Sequence, residues 1–342
     1  MRFFANPAQA GHCPGFEFFR GKRVPCFETP ERFHFVEQAL REAGCVLEAP
    51  AAFADEALLG VHSARYLEFL KGAWAEWLAT GNEGDAFPAV WPGAGMRRDR
   101  LPQNFAARMG FFAFDTGTPL AAGTWQAARS GADCALSAAQ SLLAGELSAF
   151  VLTRPPGHHA GIETFGGYCF LNNAALAAQA LREGGASRVA VLDVDYHHGN
   201  GTQEIFYARP DVFFASIHGD PMTEYPFYLG HADEQGEGAG LGANLNLPLP
   251  AGAPAADWFS ALEQALEAIA HSGAEALVVS LGVDAWEGDP ISRFRLKTRD
   301  YATLGERLRR LGLPVAFVLE GGYAVREIGL NVLACLHGFE PA

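Results

Sequence analysis

Five short apolar runs recur along the last two thirds of the chain, at 149–153, 188–195, 212–218, 275–284 and 314–320. Each is too short for a helix and carries almost no polar residue before its C-terminal end, which predicts strands buried on both faces. Helical patterns lie between several of them. One covers 172–183. Another covers 257–271, with Phe259, Leu262, Leu266 and Ile269 on one stripe and Asp257 placed to cap it. Strands alternating with helices predict right-handed βαβ units and a parallel sheet. The expected class is α/β, a single three-layer α/β/α domain over 1–342 with a central, mostly parallel sheet. The segment at about 80–120 breaks the pattern. It is rich in Gly, Pro and aromatic residues, carries Arg97, Arg98, Arg100 and Arg108, and has no clean periodicity. It reads as a long functional loop.

Polar residues gather just after the apolar runs. Arg154-Pro-Pro-Gly-His158-His159 follows the first run, and Asp193-Val-Asp195-Tyr-His197-His-Gly-Asn200-Gly201 closes the second. Asp284 ends the fourth, and Gly321-Gly-Tyr323 follows the last. Open α/β sheets bind ligands beyond the carboxyl ends of their strands. Asp195 and His197 stand two apart, so on an extended chain they share a face. With Asp284 they supply two carboxylates and one imidazole, a donor set that suits a divalent cation with an open position. Hydrolysis of an amide also needs a base for water and an acid for the departing amine, which the adjacent His158 and His159 can provide. Tyr323, flanked by glycine on its N-terminal side, can donate its hydroxyl to a developing oxyanion.

Composition narrows the partners. The 342 residues carry a net charge of −14, so nucleic acid is not expected, and a negative field would help to gather small cationic substrates. Six cysteines at 13, 26, 45, 134, 169 and 335 form no C-x-x-C pair and read as reduced packing residues, Cys169 included. The N-terminal residues lack the apolar core of a signal peptide, and no run is long enough to cross a membrane. The expected location is cytoplasmic.

These motifs resemble the zinc-dependent deacetylases of the arginase-deacetylase fold, the histone deacetylase superfamily, and within it the bacterial acetylpolyamine amidohydrolases. The resemblance rests on Arg154-Pro-Pro-Gly-His-His-Ala160, Gly166-Gly-Tyr-Cys-Phe-Leu-Asn-Asn173, Asp193-Val-Asp-Tyr-His-His-Gly-Asn-Gly201, Ser280-Leu-Gly-Val-Asp284 with Asp289-Pro290, and Glu320-Gly-Gly-Tyr323, in family order across essentially the whole chain. It implies that Asp195, His197 and Asp284 bind one Zn²⁺, with Fe²⁺ the alternative metal. It implies a structural K⁺ near Asp193, Asp195, His197, Ser216 and Ile217. Asp193 would orient His158 and Asn200 would orient His159. A carboxylate favours the imidazolium of its partner and a neutral amide does not, so His159 is assigned the proton shuttle and His158 an electrostatic role, the reverse remaining open. Gly167, Tyr168 and Tyr225 would line the substrate tunnel. The 80–120 loop would narrow that tunnel and pack across a homodimer.

One departure bears on the substrate. Ala106 and Gly117 stand where the family's polyamine enzymes place acidic residues. Asp115, Glu17 or Glu28 are the candidates to replace them, and the four loop arginines would repel a polycation if they pointed inward. The expected activity is removal of acetyl groups from small N-acetylated aliphatic amines such as acetylpolyamines. The alternatives are a deacylase for acetyl-lysine or another acylated amine, and a non-catalytic binding module.

Overall fold

The computed structural model describes residues 1–340. In chain order the strands are β1 (Arg2–Ala5), β2 (Glu17–Phe19), β3 (Lys22–Val24), β4 (Leu47–Glu48), β5 (Ser148–Leu152), β6 (Val189–Asp193), β7 (Val212–Gly219), β8 (Asn244–Leu249), β9 (Ala276–Leu281) and β10 (Val315–Leu319). The helices are α1 (Pro30–Glu42), α2 (Ala64–Ala79), α3 (Phe105–Phe112), α4 (Thr124–Leu143), α5 (Asn173–Glu183), α6 (Asn200–Phe206), α7 (Ala255–Ser272), α8 (Thr298–Arg309) and α9 (Ile328–Phe339). Strands β2 and β3 form an antiparallel hairpin of their own. The other eight form one sheet in the order β4-β1-β5-β10-β9-β6-β7-β8, and every pairing in it is parallel.

Period-2 alternation divides the strand side chains between two cores. Val151, Val191, Phe214, Val278 and Val318 face the layer that contains α2 to α6. Their neighbours Leu152, Leu192, Ala215, Val279 and Leu319 face α1, α7, α8 and α9. The five central strand runs are fully buried, as the unbroken apolar sequence requires of a sheet covered on both sides. None of the described helices is long and apolar enough to cross a membrane.

Three local expectations are corrected. Asp257 lies inside the first turn of α7, because Pro254 takes the N-cap position and the helix begins at Ala255. Trp258 fills the core in that turn, while Phe259 is only partly buried beside it. The third correction is the 80–120 segment, which contains a helix. Asn104 caps α3 by accepting from the Ala107 amide at 3.3 Å. Phe105, Met109, Phe111 and Phe112 are buried, and the Phe69 and Phe112 rings lie 4.8 Å apart. Helix α3 is short and aromatic, so its four core residues looked like scattered bulk and not a stripe. Ala86 and Leu120 exchange two 2.9 Å backbone hydrogen bonds that close the excursion at its base.

A buried ion cluster ties the N-terminal segment to the C-terminal edge of the sheet. Glu28 accepts from Arg32 Nη1 at 2.9 Å, and from Arg154 Nε and Nη2 at 2.9 and 2.7 Å. Burial would raise the Glu28 pKa, but Arg154 and Arg32 outweigh it and hold it at about 2. Arg32 then donates to the carbonyls of Glu320 and Gly322 at 2.5 and 2.7 Å, and Arg154 to that of Gln9 at 2.7 Å. Three loops are thereby fixed to one carboxylate. Removing it leaves two guanidiniums buried without their counter-charge, which costs about 3–5 kcal/mol. Glu28→Ala is therefore expected to lower stability by about that much in urea denaturation. A loss under about 1 kcal/mol would show that the cluster does not hold these loops.

Candidate active site

Four strands adjacent in the sheet, β5, β10, β9 and β6, end side by side, and the polar motifs follow them. Asp193 closes β6 and pairs in register with Ser280 of β9 and Ser216 of β7. The strand stops there, so Asp195 and His197 lie on a bend and not on an extended strand. The bend has a physical cause. Tyr196 N–H donates to Asp284 Oδ1 at 2.8 Å and His197 N–H to Asp195 Oδ1 at 2.9 Å, which pulls the backbone around the two carboxylates. Gly321 N–H donates to Asp195 Oδ2 at 2.7 Å. A Cβ at Gly282 would lie 2.2 Å from that same oxygen, so only glycine lets the β9 loop approach.

One ligand atom from each of Asp195, His197 and Asp284 falls within 4.8 Å of the others. His197 Nδ1 stands 3.1 Å from Asp284 Oδ2 and 3.4 Å from Asp195 Oδ1. The electrostatics fit a cation at this point. Burial, then repulsion from Asp195, pushes Asp284 up to about 7. Burial opposes charge on His197, yet hydrogen bonds and attraction from Asp195 and Asp284 push it up to about 10. The donor set demands positive charge that the protein does not itself supply in full, and one imidazole with two carboxylates matches a catalytic divalent ion.

Behind this triad stand two histidines whose rings are 4.0 Å apart. His158 Nδ1 lies 2.9 Å from Asp193 Oδ2, and its Nε2 lies 3.8 Å from Asp195 Oδ2. Burial disfavours its charge, but Asp193 and Asp195 outweigh that and push its pKa up to about 10. His159 Nδ1 lies 2.7 Å from Asn200 Oδ1. An amide oxygen accepts only, so Nδ1 carries the hydrogen and Nε2 keeps its lone pair. Burial, followed by the positive charge on His158 and His197, lowers the His159 pKa well below 6.5. Asp193 and Asn200 thus each lie against one ring of the pair.

Two further carboxylates position this machinery, and neither was given a role from the sequence. Asp289 Oδ2 accepts from the amides of Tyr323 and Ala324 at 2.7 and 3.2 Å, which fixes the tyrosine loop. Glu320 Oε2 accepts from the amides of Gly157 and His158 at 2.6 and 3.1 Å, which fixes the histidine loop. The only signal for either was its presence in the Asp289-Pro and Glu320-Gly-Gly-Tyr motifs. Burial raises the Tyr323 pKa well above 10, so its hydroxyl stays a donor. Cys169 lies with His158 and Glu320, with one ligand atom from each within 4.8 Å of the others. Its thiol donates to Gly167 O at 3.3 Å, and burial keeps it protonated, which matches a packing role.

These groups open into a cavity of about 320 Å³. His159, His197 and Tyr323 reach it, and Gly167, Tyr168 and Tyr225 line it. Tyr168 sits at φ 67°, a region bulky residues rarely adopt, and its amide donates to Thr118 Oγ1 at 2.9 Å. Its hydroxyl donates to Glu17 Oε1 at 2.8 Å. Asp115 Oδ2 accepts from Gly167 N–H and from the Tyr225 hydroxyl, both at 2.7 Å.

The residues considered for amine recognition are distributed unevenly. Gly117 and Asp115 line the cavity, but Ala106 is exposed on α3 and does not. Glu28 is unavailable, locked between two arginines. None of the four loop arginines lines the cavity. Arg97 pairs with Asp99, Arg108 with Glu76, Arg98 lies over the Phe111 ring, and Arg100 is exposed. Beneath the triad, Ser216 is buried with its Oγ 2.8 Å from His218 Nδ1. His218 Nε2 contacts the Gly230 carbonyl at 2.8 Å, so Nε2 carries the hydrogen and Nδ1 accepts from Ser216. Ile217 follows Ser216 in the same strand.

Comparison with known proteins agrees with this geometry. The Histone deacetylase domain family matches residues 26–339. The chain is 54% identical to Acetylpolyamine amidohydrolase 1 of Pseudomonas aeruginosa, covering 95% of each protein. It is 49% identical to Acetylpolyamine amidohydrolase of Mycoplana ramosa, covering 94% of each. A crystal structure of acetylpolyamine aminohydrolase from Burkholderia pseudomallei superposes with a TM-score of 0.94 at 38% identity, covering 100% of this chain and 99% of that one. The sheet order, the converging motifs and these matches lead to one conclusion: the chain belongs to the histone deacetylase domain family.

Proposed function

We propose that this protein is a metal-dependent amidohydrolase that removes acetyl groups from small N-acetylated aliphatic amines, acetylpolyamines among them. One observation carries the reading: Asp195, His197 and Asp284 converge with His158, His159 and Tyr323 around an aromatic-walled cavity. The names of the relatives at 49–54% identity support the same substrate class.

Asp195, His197 and Asp284 would hold Zn²⁺. Bound there, zinc supplies Lewis acidity toward the amide carbonyl and toward water. Asp193, Ser216 and the backbone of Asp195, His197 and Ile217 would hold K⁺, whose charge offsets that of the neighbouring carboxylates. His159 takes a proton from the attacking water at Nε2, because Asn200 keeps the hydrogen on Nδ1. The same nitrogen then delivers that proton to the departing amine. His158, held as imidazolium by Asp193, stabilises the negative charge that builds in the transition state. The Tyr323 hydroxyl donates to the developing oxyanion. Tyr168 and Tyr225 clasp the alkyl stem and exclude water, which strengthens each of these interactions.

The decisive assay places the zinc-loaded enzyme on acetylputrescine, acetylcadaverine, acetylspermidine and an acetyl-lysine peptide. Turnover of the small amides should exceed that of the peptide. Equal or faster cleavage of the peptide rules out the small-amine reading.

Asp284→Ala should lose both bound zinc, measured by elemental analysis, and activity. An active variant with full zinc content refutes the ligand assignment.

The two histidines should separate in kinetics. His159→Ala is expected to lower kcat by roughly 10²–10⁴-fold, and His158→Ala by less. A base with a depressed pKa works above that pKa and fails as pH falls through it. The acid limb of the wild-type kcat/KM profile should therefore lie below pH 6.5. Greater damage from His158→Ala reverses the assignment.

A further inference from the structure

Two carboxylates near the cavity are tied to its tyrosine walls. Glu17 is buried behind Tyr168, where it accepts from the Tyr168 hydroxyl at 2.8 Å and from the Phe27 amide at 3.0 Å. Asp115 joins the two tunnel walls by accepting from Gly167 N–H and the Tyr225 hydroxyl. Glu224 lines the cavity as a buried residue beside Tyr196.

The exposed charge among the residues lining the cavity is of the opposite sign. Arg20 is exposed and lines the opening together with Phe18 and Phe19. It occupies the two-residue turn of the β2–β3 hairpin, since Phe19 pairs with Lys22 across Arg20 and Gly21. Both turn residues have positive φ, 50° for Arg20 and 75° for Gly21. Such turns favour Asn, Asp or Gly at the first position, and an arginine there costs local strain. Its guanidinium lies 5.2 Å from the centre of the Phe19 ring. Contact with the ring leaves the hydrogen-bonding edge of the guanidinium free.

Lys22 and Arg23 follow in the same hairpin. Among the described residues none of these three cations has a carboxylate within 4.0 Å. Of the three, Arg20 is the one that lines the opening, an unpaired cation in a chain of net charge −14.

We infer that Arg20 is a specificity determinant at the tunnel mouth, which favours acylated amines whose far end carries a carboxylate over those whose far end carries an ammonium. The inference rests on the deacetylase reading above and adds the chemistry of the substrate's distal end. The planar fork of arginine matches a carboxylate in two-point geometry, whereas a distal ammonium brought to the same place meets a like charge. Deep binding and amide cleavage need no charge at that end, so a polyamine amide can still be hydrolysed. The difference appears in the ranking of substrates.

The test uses the full-length, metal-loaded enzyme and matched acetamides. An ω-acetamido carboxylate is compared with the acetylated diamine of equal length, in a shorter series and in one longer by several methylenes. The uncharged N-alkylacetamide serves as each variant's own reference. At low salt the carboxylate-to-ammonium ratio of kcat/KM should fall about tenfold in Arg20→Glu, with Arg20→Ala between the two, in at least one series. The change should sit in KM and shrink as salt is raised. A ratio within about twofold of wild type in both variants and both series overturns the inference. If wild type hydrolyses none of the acetamides, it is the deacetylase reading that falls. The same ratio, taken from Kd values by calorimetry, then decides the role of Arg20 independently.

Discussion

Five carboxylates buried at one edge of the sheet impose the constraint that organises this molecule. Asp193, Asp195, Asp284 and Glu320 are fully buried and Asp289 is 8% exposed. Each would be costly to ionise alone in a protein interior, and together they repel one another. The surrounding structure compensates them. His158 brings positive charge, and backbone amides of Gly157, Tyr196, Gly321 and Tyr323 each point at one of the oxygens. Loops that look irregular are shaped by this requirement, and the remaining charge deficit is what makes the edge a cation site.

The same compensation prepares the chemistry. A carboxylate partner makes His158 a fixed positive charge, while burial, the charge on His158 and an amide partner leave His159 neutral with a free Nε2. One pair of adjacent, chemically identical side chains thus acquires two roles from what sits behind each ring. Around them, buried acids act as scaffolding. Glu28 holds Arg32 and Arg154, Glu17 holds Tyr168, and Asp115 holds Tyr225. Glu17 and Asp115, which could have met an amine, are instead tied to the tyrosine walls.

Much of this was legible in the residues. Unbroken apolar runs read as buried strands, and the structure has β6, β9 and β10 within those runs, while β5 starts one residue earlier and β7 ends one residue later than its run. Helix α5 was bounded to within a residue because Asn172 caps it through the Ala175 amide. Patterning failed where an element was short or a cap was absent. Helix α3 has only 8 residues and buries most of them, so no polar face marked it out. The α7 cap was misplaced because Pro254 starts that helix without a side-chain hydrogen bond. Strand geometry was carried too far at Asp195, since the backbone turns there to satisfy Asp284, 89 residues later in sequence.

The pairing of Asp193 with His158 and of Asn200 with His159 was what the family resemblance implied; by itself, the sequence determined the layered α/β class and the residue types and spacing within each motif. These are local properties: residue type, spacing and alternation act within a few residues. Only the tertiary structure decided that β5, β10, β9 and β6 are neighbours, an order that brings the motifs at 158, 193, 284 and 323 to one edge. Any apolar parallel strand can pair with any other, so strand order leaves no mark in a single run. The tertiary structure likewise decided which acids face the cavity and which are tied to its tyrosines, because a side chain's partner is set by where distant backbone brings it.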